Sequence, residues 1–98
     1  MPVILLLAQL TQMAVRVTPQ VAIAPAVMRV TVLAVTVRVE ELCLVVSDGI
    51  PTYSCWPAQY SRSTVITLHE AGIYHVWIAA RLPSGVYVHS KPTKVLVK

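Results

Sequence analysis

The side chains able to do chemistry in this 98-residue chain are few: the acids Glu40, Glu41, Asp48 and Glu70, the histidines His69, His75 and His89, and the cysteines Cys43 and Cys55. Hydrolytic or transfer chemistry needs a nucleophile beside a base, two convergent carboxylates, or a metal. Glu40 and Glu41 are adjacent, and on a strand adjacent residues point to opposite faces, so they form no carboxylate pair. Both are expected as solvated turn residues, and Asp48 before Gly49 carries the same signature. The histidines can be tested by register. If Leu82 pairs with Val86 across a three-residue loop, Ala79 faces His89, and His75 lies four residues further along the same face. That separation is roughly 14 Å, too far for the two rings to share a metal. No Cys/His spacing fits a zinc site. The expectation is a protein with no catalytic, cofactor or metal residues, not an enzyme. Cys43 and Cys55 are one candidate disulfide. In a secreted chain they would close a short loop, worth about 3 kcal/mol for ~15 residues; two reduced thiols are the alternative.

The surrounding composition says what must position these groups. Hydrophobic residues make up 56% and charged residues 12%, against roughly 45–50% and ~25% in an average soluble domain. A single domain of this length cannot bury such a surplus. The excess implies an export or lipid segment, or a surface patch covered by another chain. Valine dominates, with Thr, Ile and Tyr behind it, which suits a half-buried pleated sheet. The net charge is +4, but the basic residues form no run, so no nucleic-acid partner is indicated.

Residues 1–13 are set apart from 14–98. Val3-Ile4-Leu5-Leu6-Leu7 is an apolar run that suits an assembly strand. It also resembles the apolar part of a signal peptide, although no Lys or Arg precedes it and Pro25 spoils the Ala22-Ile23-Ala24 cleavage context. It is too short to span a bilayer, which takes about 20 residues.

From Ala14 onward the chain alternates. Val15 and Val17 oppose Arg16 and Thr18, with a break at Pro19. Val30 and Val32 alternate with Arg29 and Thr31, and Val35, Val37 and Val39 with Thr36 and Arg38. The phase slips between Val32 and Val35, which calls for a bulge or a short turn near Leu33-Ala34. Leu42, Leu44 and Val46 form the next inward row, ended by Ser47-Asp48-Gly49. The stretch 50–61 is expected as a long connection. Strands follow at 64–68, 73–82 and 86–97, the last broken near Pro92, with the turn Pro83-Ser84-Gly85 between the latter two. About seven strands with frequent turns and no helix predict an all-β antiparallel sandwich.

Gly72-x-Tyr74-x-Val76 after a Glu-Ala turn, and Ser90-x-Pro92-x-x-Val95-x-Val97 at the end, resemble the last two strands of immunoglobulin-like and fibronectin-type-III-like domains. The resemblance covers residues 14–98. It implies an immunoglobulin-like sandwich in which Tyr74 is a core corner whose hydroxyl bonds a nearby backbone group. The two cysteines lie too close in sequence to be the pair that bridges the two sheets of antibody domains. Any bond between them would staple the third strand to the connection after it. Folds of this kind serve many functions.

The same register places Tyr74, Val76, Ile78, Ala80, Val86 and Val88 inward. It leaves His75, Trp77, Arg81, Tyr87, His89 and Lys91 on an outer face with the makeup of an interaction surface, rigid aromatics beside cations. Trp56 is expected to pack against the Cys43–Cys55 bond. These features predict a non-catalytic structural or adhesive subunit of a protein assembly, outside the cell or on its surface, with copies of itself or other protein subunits as partners. A virion decoration or capsid-associated protein is one alternative. Another is a carbohydrate-binding accessory module using Trp56 and Trp77 as platforms.

Overall fold

The computed structural model describes residues 13–33 and 38–98. Nine strands follow one another in chain order: β1 (Ala14–Thr18), β2 (Val21–Ala22), β3 (Ala26–Leu33), β4 (Glu41–Ser47), β5 (Pro51–Pro57), β6 (Ser63–Leu68), β7 (Gly72–Arg81), β8 (Tyr87–His89) and β9 (Thr93–Val97). They form two packed sheets, an all-β sandwich. One sheet has the order β1-β3-β6, the other β2-β9-β7-β4-β5, and β8 pairs with β7 at the far end of β9. The run Val3, Ile4, Leu5, Leu6, Leu7 lies outside the described residues, as do Val35, Thr36 and Val37 of the predicted second segment.

Alternation builds the core. Inward residues of the smaller sheet are Val17, Met28, Val30, Val32 and Leu68. They meet Leu42, Leu44, Val76, Ile78, Ala80, Val95 and Val97 of the larger sheet in one buried cluster. Met13, grouped with the terminal segment by sequence, also packs in this cluster, so the sandwich starts at least one residue earlier than Ala14. Nearly all ladders are antiparallel; the exception is β2, which runs parallel to β9. The chain reaches β2 by leaving the smaller sheet after β1 and crossing to the larger one. Backbone bonds Leu96 N–H to Gln20 O and Lys98 N–H to Ala22 O fasten it there.

Three features of the strand arrangement depart from the expected layout of about seven strands. The crossing separates β1 from β2. The stretch 50–61 is not a long connection: its first part is β5, in full antiparallel register with β4 from Ser47↔Pro51 to Glu41↔Pro57. The final strand is split, because Ala79 pairs with His89 whereas Val76 pairs with Thr93. Four steps on one strand thus oppose three on the other, which is a bulge.

Ser90, the one buried polar residue among those described, sits at the start of that bulge. Its N–H donates to Ile78 O, and its hydroxyl accepts the Ile78 N–H at 2.9 Å. A side-chain oxygen thereby takes the ladder position that a strand carbonyl would hold. Ser90→Ala should cost about 1–3 kcal/mol, because the buried Ile78 N–H would lose its acceptor. Urea denaturation of the two proteins checks this, and an unchanged midpoint contradicts it.

Val86 was expected to point into the core. It is instead exposed, because it belongs to the turn before β8. That turn is the predicted three-residue loop: Leu82 N–H bonds Val86 O, Gly85 N–H bonds Leu82 O, and Gly85 holds φ of 90°. Left-handed backbone of this kind suits the third position of such a hairpin and favours glycine.

Candidate functional site

The outer face of the larger sheet gathers most of the side chains singled out by sequence. Register arranges them in rows across the strands. Tyr87, Arg81, Glu41 and Pro57 form one row; His89, Ala79, Cys43 and Cys55 form the next. Trp77, Val45 and Tyr53 follow, then Lys94, His75, Ser47 and Pro51, and last Leu96 and Ile73 with Val21 at the β2 edge. His75, Trp77, Arg81, Tyr87 and His89 therefore share one surface. Lys91 is exposed, but it falls in the bulge between β8 and β9, outside the paired rows.

Tyr53 and Cys55 belong to this face only because 51–57 is a strand, a membership that the reading of 50–61 as a connection missed. The signal was present. Asp48-Gly49 is a hairpin dipeptide, and Cys43 and Cys55 are equidistant from Gly49. The pair is directly opposed in the ladder and joined as a disulfide, with Cα atoms 4.0 Å apart. It staples strand to strand on the outer face. Asp48 does act as a turn residue: its carboxylate accepts the Ile50 N–H at 3.2 Å, beside Gly49 N–H on the Ser47 hydroxyl.

Glu41 departs from the expected turn role. It opens β4, half-buried, with one carboxylate oxygen 3.9 Å from Arg81 Nε and 3.4 Å from the Tyr87 hydroxyl. Opposite charges on neighbouring strands account for its place. Glu40 lies 4.0 Å from Arg38 on the surface. The only metal-ligand grouping among the described residues is Glu41, Cys43 and Cys55. Two of its three ligands are consumed by the disulfide, so it offers one free oxygen donor and no metal centre.

The face has a two-level relief. Val45 is fully buried, and Cys43 and Ala79 nearly so, although all three point away from the core cluster. Around them, apolar side chains remain in water: Tyr53 is 63% exposed, Val21 54%, Ile73 51% and Tyr87 47%. Exposed aromatic and aliphatic side chains of this sort, set among cations, are what a protein contact surface offers.

Trp56 is not part of it. Leu42, its partner in register, is in the core, so the indole points inward while Cys55 points out. It packs against the core cluster and donates its Nε1–H to Ser61 O at 2.8 Å. The expected packing against the disulfide is thus overturned by strand alternation. On the inner side Tyr74 is half-buried, and its hydroxyl donates to Glu70 O at 2.7 Å across the turn that precedes β7.

The side of the sandwich between β5 and β6 holds a groove of about 350 Å³, floored by Leu44, Val46, Ile66 and Leu68, with Thr52 and Ser54 on its β5 wall. Compared with known proteins, the chain matches no family model and no curated sequence.

Proposed function

We propose that this protein is a non-catalytic structural or adhesive subunit of a larger protein assembly, built on an immunoglobulin-like sandwich. The fold type is supported by the sheet orders β1-β3-β6 and β2-β9-β7-β4-β5 and by the Tyr74 hydroxyl bond to Glu70 O at the turn into β7, the position of the tyrosine corner in such domains.

The observation that carries the assembly reading is the outer face of the larger sheet, where Tyr53, Tyr87, Ile73 and Val21 stay about half exposed or more around Trp77 and Arg81. Tyr, Trp and Arg are the residues that most often dominate interface energy. The apolar run 3–7 adds to the apolar surplus of the sequence. The Cys43–Cys55 disulfide favours an oxidising location, outside the cell or on its surface, over a reducing one.

Light scattering on the purified full chain is the test. Masses at multiples of 10.7 kDa that grow with concentration are expected. Deletion of 1–12 should leave a folded domain, with its sheet circular dichroism intact, that stays at the mass of one copy. A full chain that remains a monomer at every concentration overturns the reading.

A further inference from the structure

The Cys43–Cys55 bond crosses the ladder between β4 and β5, and its two ends meet different surroundings. Cys55 is exposed on β5, which ends the larger sheet with no further strand among the described residues. Cys43 is only 4% exposed on β4. On the side away from Cys55 its neighbour in register is Ala79 of β7, covered to the same extent. One half of the bond faces solvent and the other half is enclosed.

Thiol–disulfide exchange begins when a thiolate attacks one sulfur and expels the other, so its course depends on which sulfur can be reached. The incoming sulfur must line up with the bond that it breaks. For attack at Cys55 that line runs off the open edge of β5. For attack at Cys43 it runs over Ala79 into the covered middle of the sheet. Attack at Cys55 makes Cys43 the leaving group, and the negative charge that it takes up forms 3.7 Å from Glu41 Oε1. The same oxygen lies 3.9 Å from Arg81 Nε and 3.4 Å from the Tyr87 hydroxyl. Arg81 offsets part of the carboxylate charge. No cation fills the positions adjoining Cys43, which are Ala79 and Cys55 across the ladders and Glu41 and Val45 along the outer face.

We propose that this disulfide opens from one side only: an incoming thiolate is taken up at Cys55, Cys43 is released, and Glu41 slows the step by repelling the charge that Cys43 acquires. A bond forms between the attacking sulfur and Cys55 Sγ as the Cys43–Cys55 bond breaks. The electron pair of the broken bond stays on Cys43 Sγ, which then takes a proton from water. The attacking sulfur is oxidised and the Cys43 sulfur reduced, so the exchange balances. Cys55 is thereby the site of thiol modification, and Glu41 is a positioning residue that guards the bond holding the edge strand. The inference stands apart from the assembly reading and survives if that reading fails.

The full chain treated with 2-mercaptoethanol, a thiol with no charge besides its own thiolate, is the test. Samples stopped in acid, with free thiols capped by N-ethylmaleimide in mildly acidic urea, should show the mixed disulfide on Cys55 and the maleimide on Cys43 by tandem mass spectrometry. The reverse assignment, or an equal split, overturns the proposal. Glu41→Gln should open about threefold to tenfold faster at the same pH, the size of one charge contact at this distance where water reaches it in part. A variant no faster than the parent removes the role of Glu41. A strand merely loosened by the substitution would also open faster, and salt separates the two causes. Between about 0.05 and about 1 M salt the ratio of the two rates should shrink, because screening weakens a charge effect and leaves packing alone. A constant ratio assigns the effect to loosening and overturns the guarding role. Should the mixed disulfide close again before it is trapped, Cys43→Ser and Cys55→Ser each leave a single thiol. Cys55 is then expected to react with an added aromatic disulfide much faster than Cys43, and equal rates overturn the one-sided opening.

Discussion

Ile78→Ala is expected to cost about 2–5 kcal/mol of folding stability, out of the 5–15 kcal/mol typical of a whole domain. Ile78 is fully buried midway along β7, and β7 is the strand to which β4, β8 and β9 all pair. Its backbone is held on one side by Leu44 in the β4 ladder and on the other by Ser90. Neighbours tied into ladders cannot collapse into the vacated space, so the cavity persists and its cost adds to the lost transfer energy. Urea denaturation measures the change. The control lies on the same strand: Ile73 faces outward and is half exposed, so Ile73→Ala should shift stability by no more than about 0.5 kcal/mol. Equal losses at the two positions would contradict the assignment of inner and outer faces.

Replacing both Cys43 and Cys55 by serine should cost about 3 kcal/mol, the chain-entropy value for a loop of this size. The loop carries the Asp48-Gly49 turn with two side-chain-to-backbone bonds of its own. Any hairpin retained in the unfolded chain would bring the cost below that figure. Reductant should lower the parent to the stability of the double variant and leave the variant unmoved. A parent unaffected by full reduction would sink the prediction. A functional loss should accompany the structural one. The bond fastens edge strand β5 to β4, and β5 carries Tyr53 on the outer face and Ser54 on the groove. Held to β4 by its ladder alone, β5 would present both surfaces less rigidly, so assembly measured by light scattering should weaken with the bond cut.

How far the fold was legible varies along the chain. Where one face of a strand meets the core and the other meets water, as in Ala26–Leu33 with its strict in-out burial, period-2 hydropathy reads directly as structure. The same holds for β7 and for the Pro83-Ser84-Gly85 turn, whose loop length sets the pairing of Ala79 with His89. Across 51–57 the rule fails, because nearly every residue of that edge strand is exposed and hydropathy then carries no period. Only the Asp48-Gly49 hairpin dipeptide and the symmetry of the two cysteines about Gly49 marked it. Trp56 was misplaced with it, since the side of an aromatic depends on strand phase, and phase is undefined until a strand is recognised.

By itself, the sequence determined that the chain is all-β, where most strands lie, and that its composition is richer in apolar and poorer in charged residues than an average soluble domain. These are local properties, set by alternation, turn chemistry and composition. The tertiary structure decided which strands are neighbours, and with that everything that depends on distant residues meeting. It joined Cys43 to Cys55 across a ladder, drew Glu41 from an expected turn to Arg81 and Tyr87, used the Ser90 hydroxyl to carry β7 past a bulge, and left a groove between β5 and β6. That groove was illegible in sequence for a simple reason: its floor comes from β4 and β6, its wall from β5, and no local pattern records which distant strands meet there.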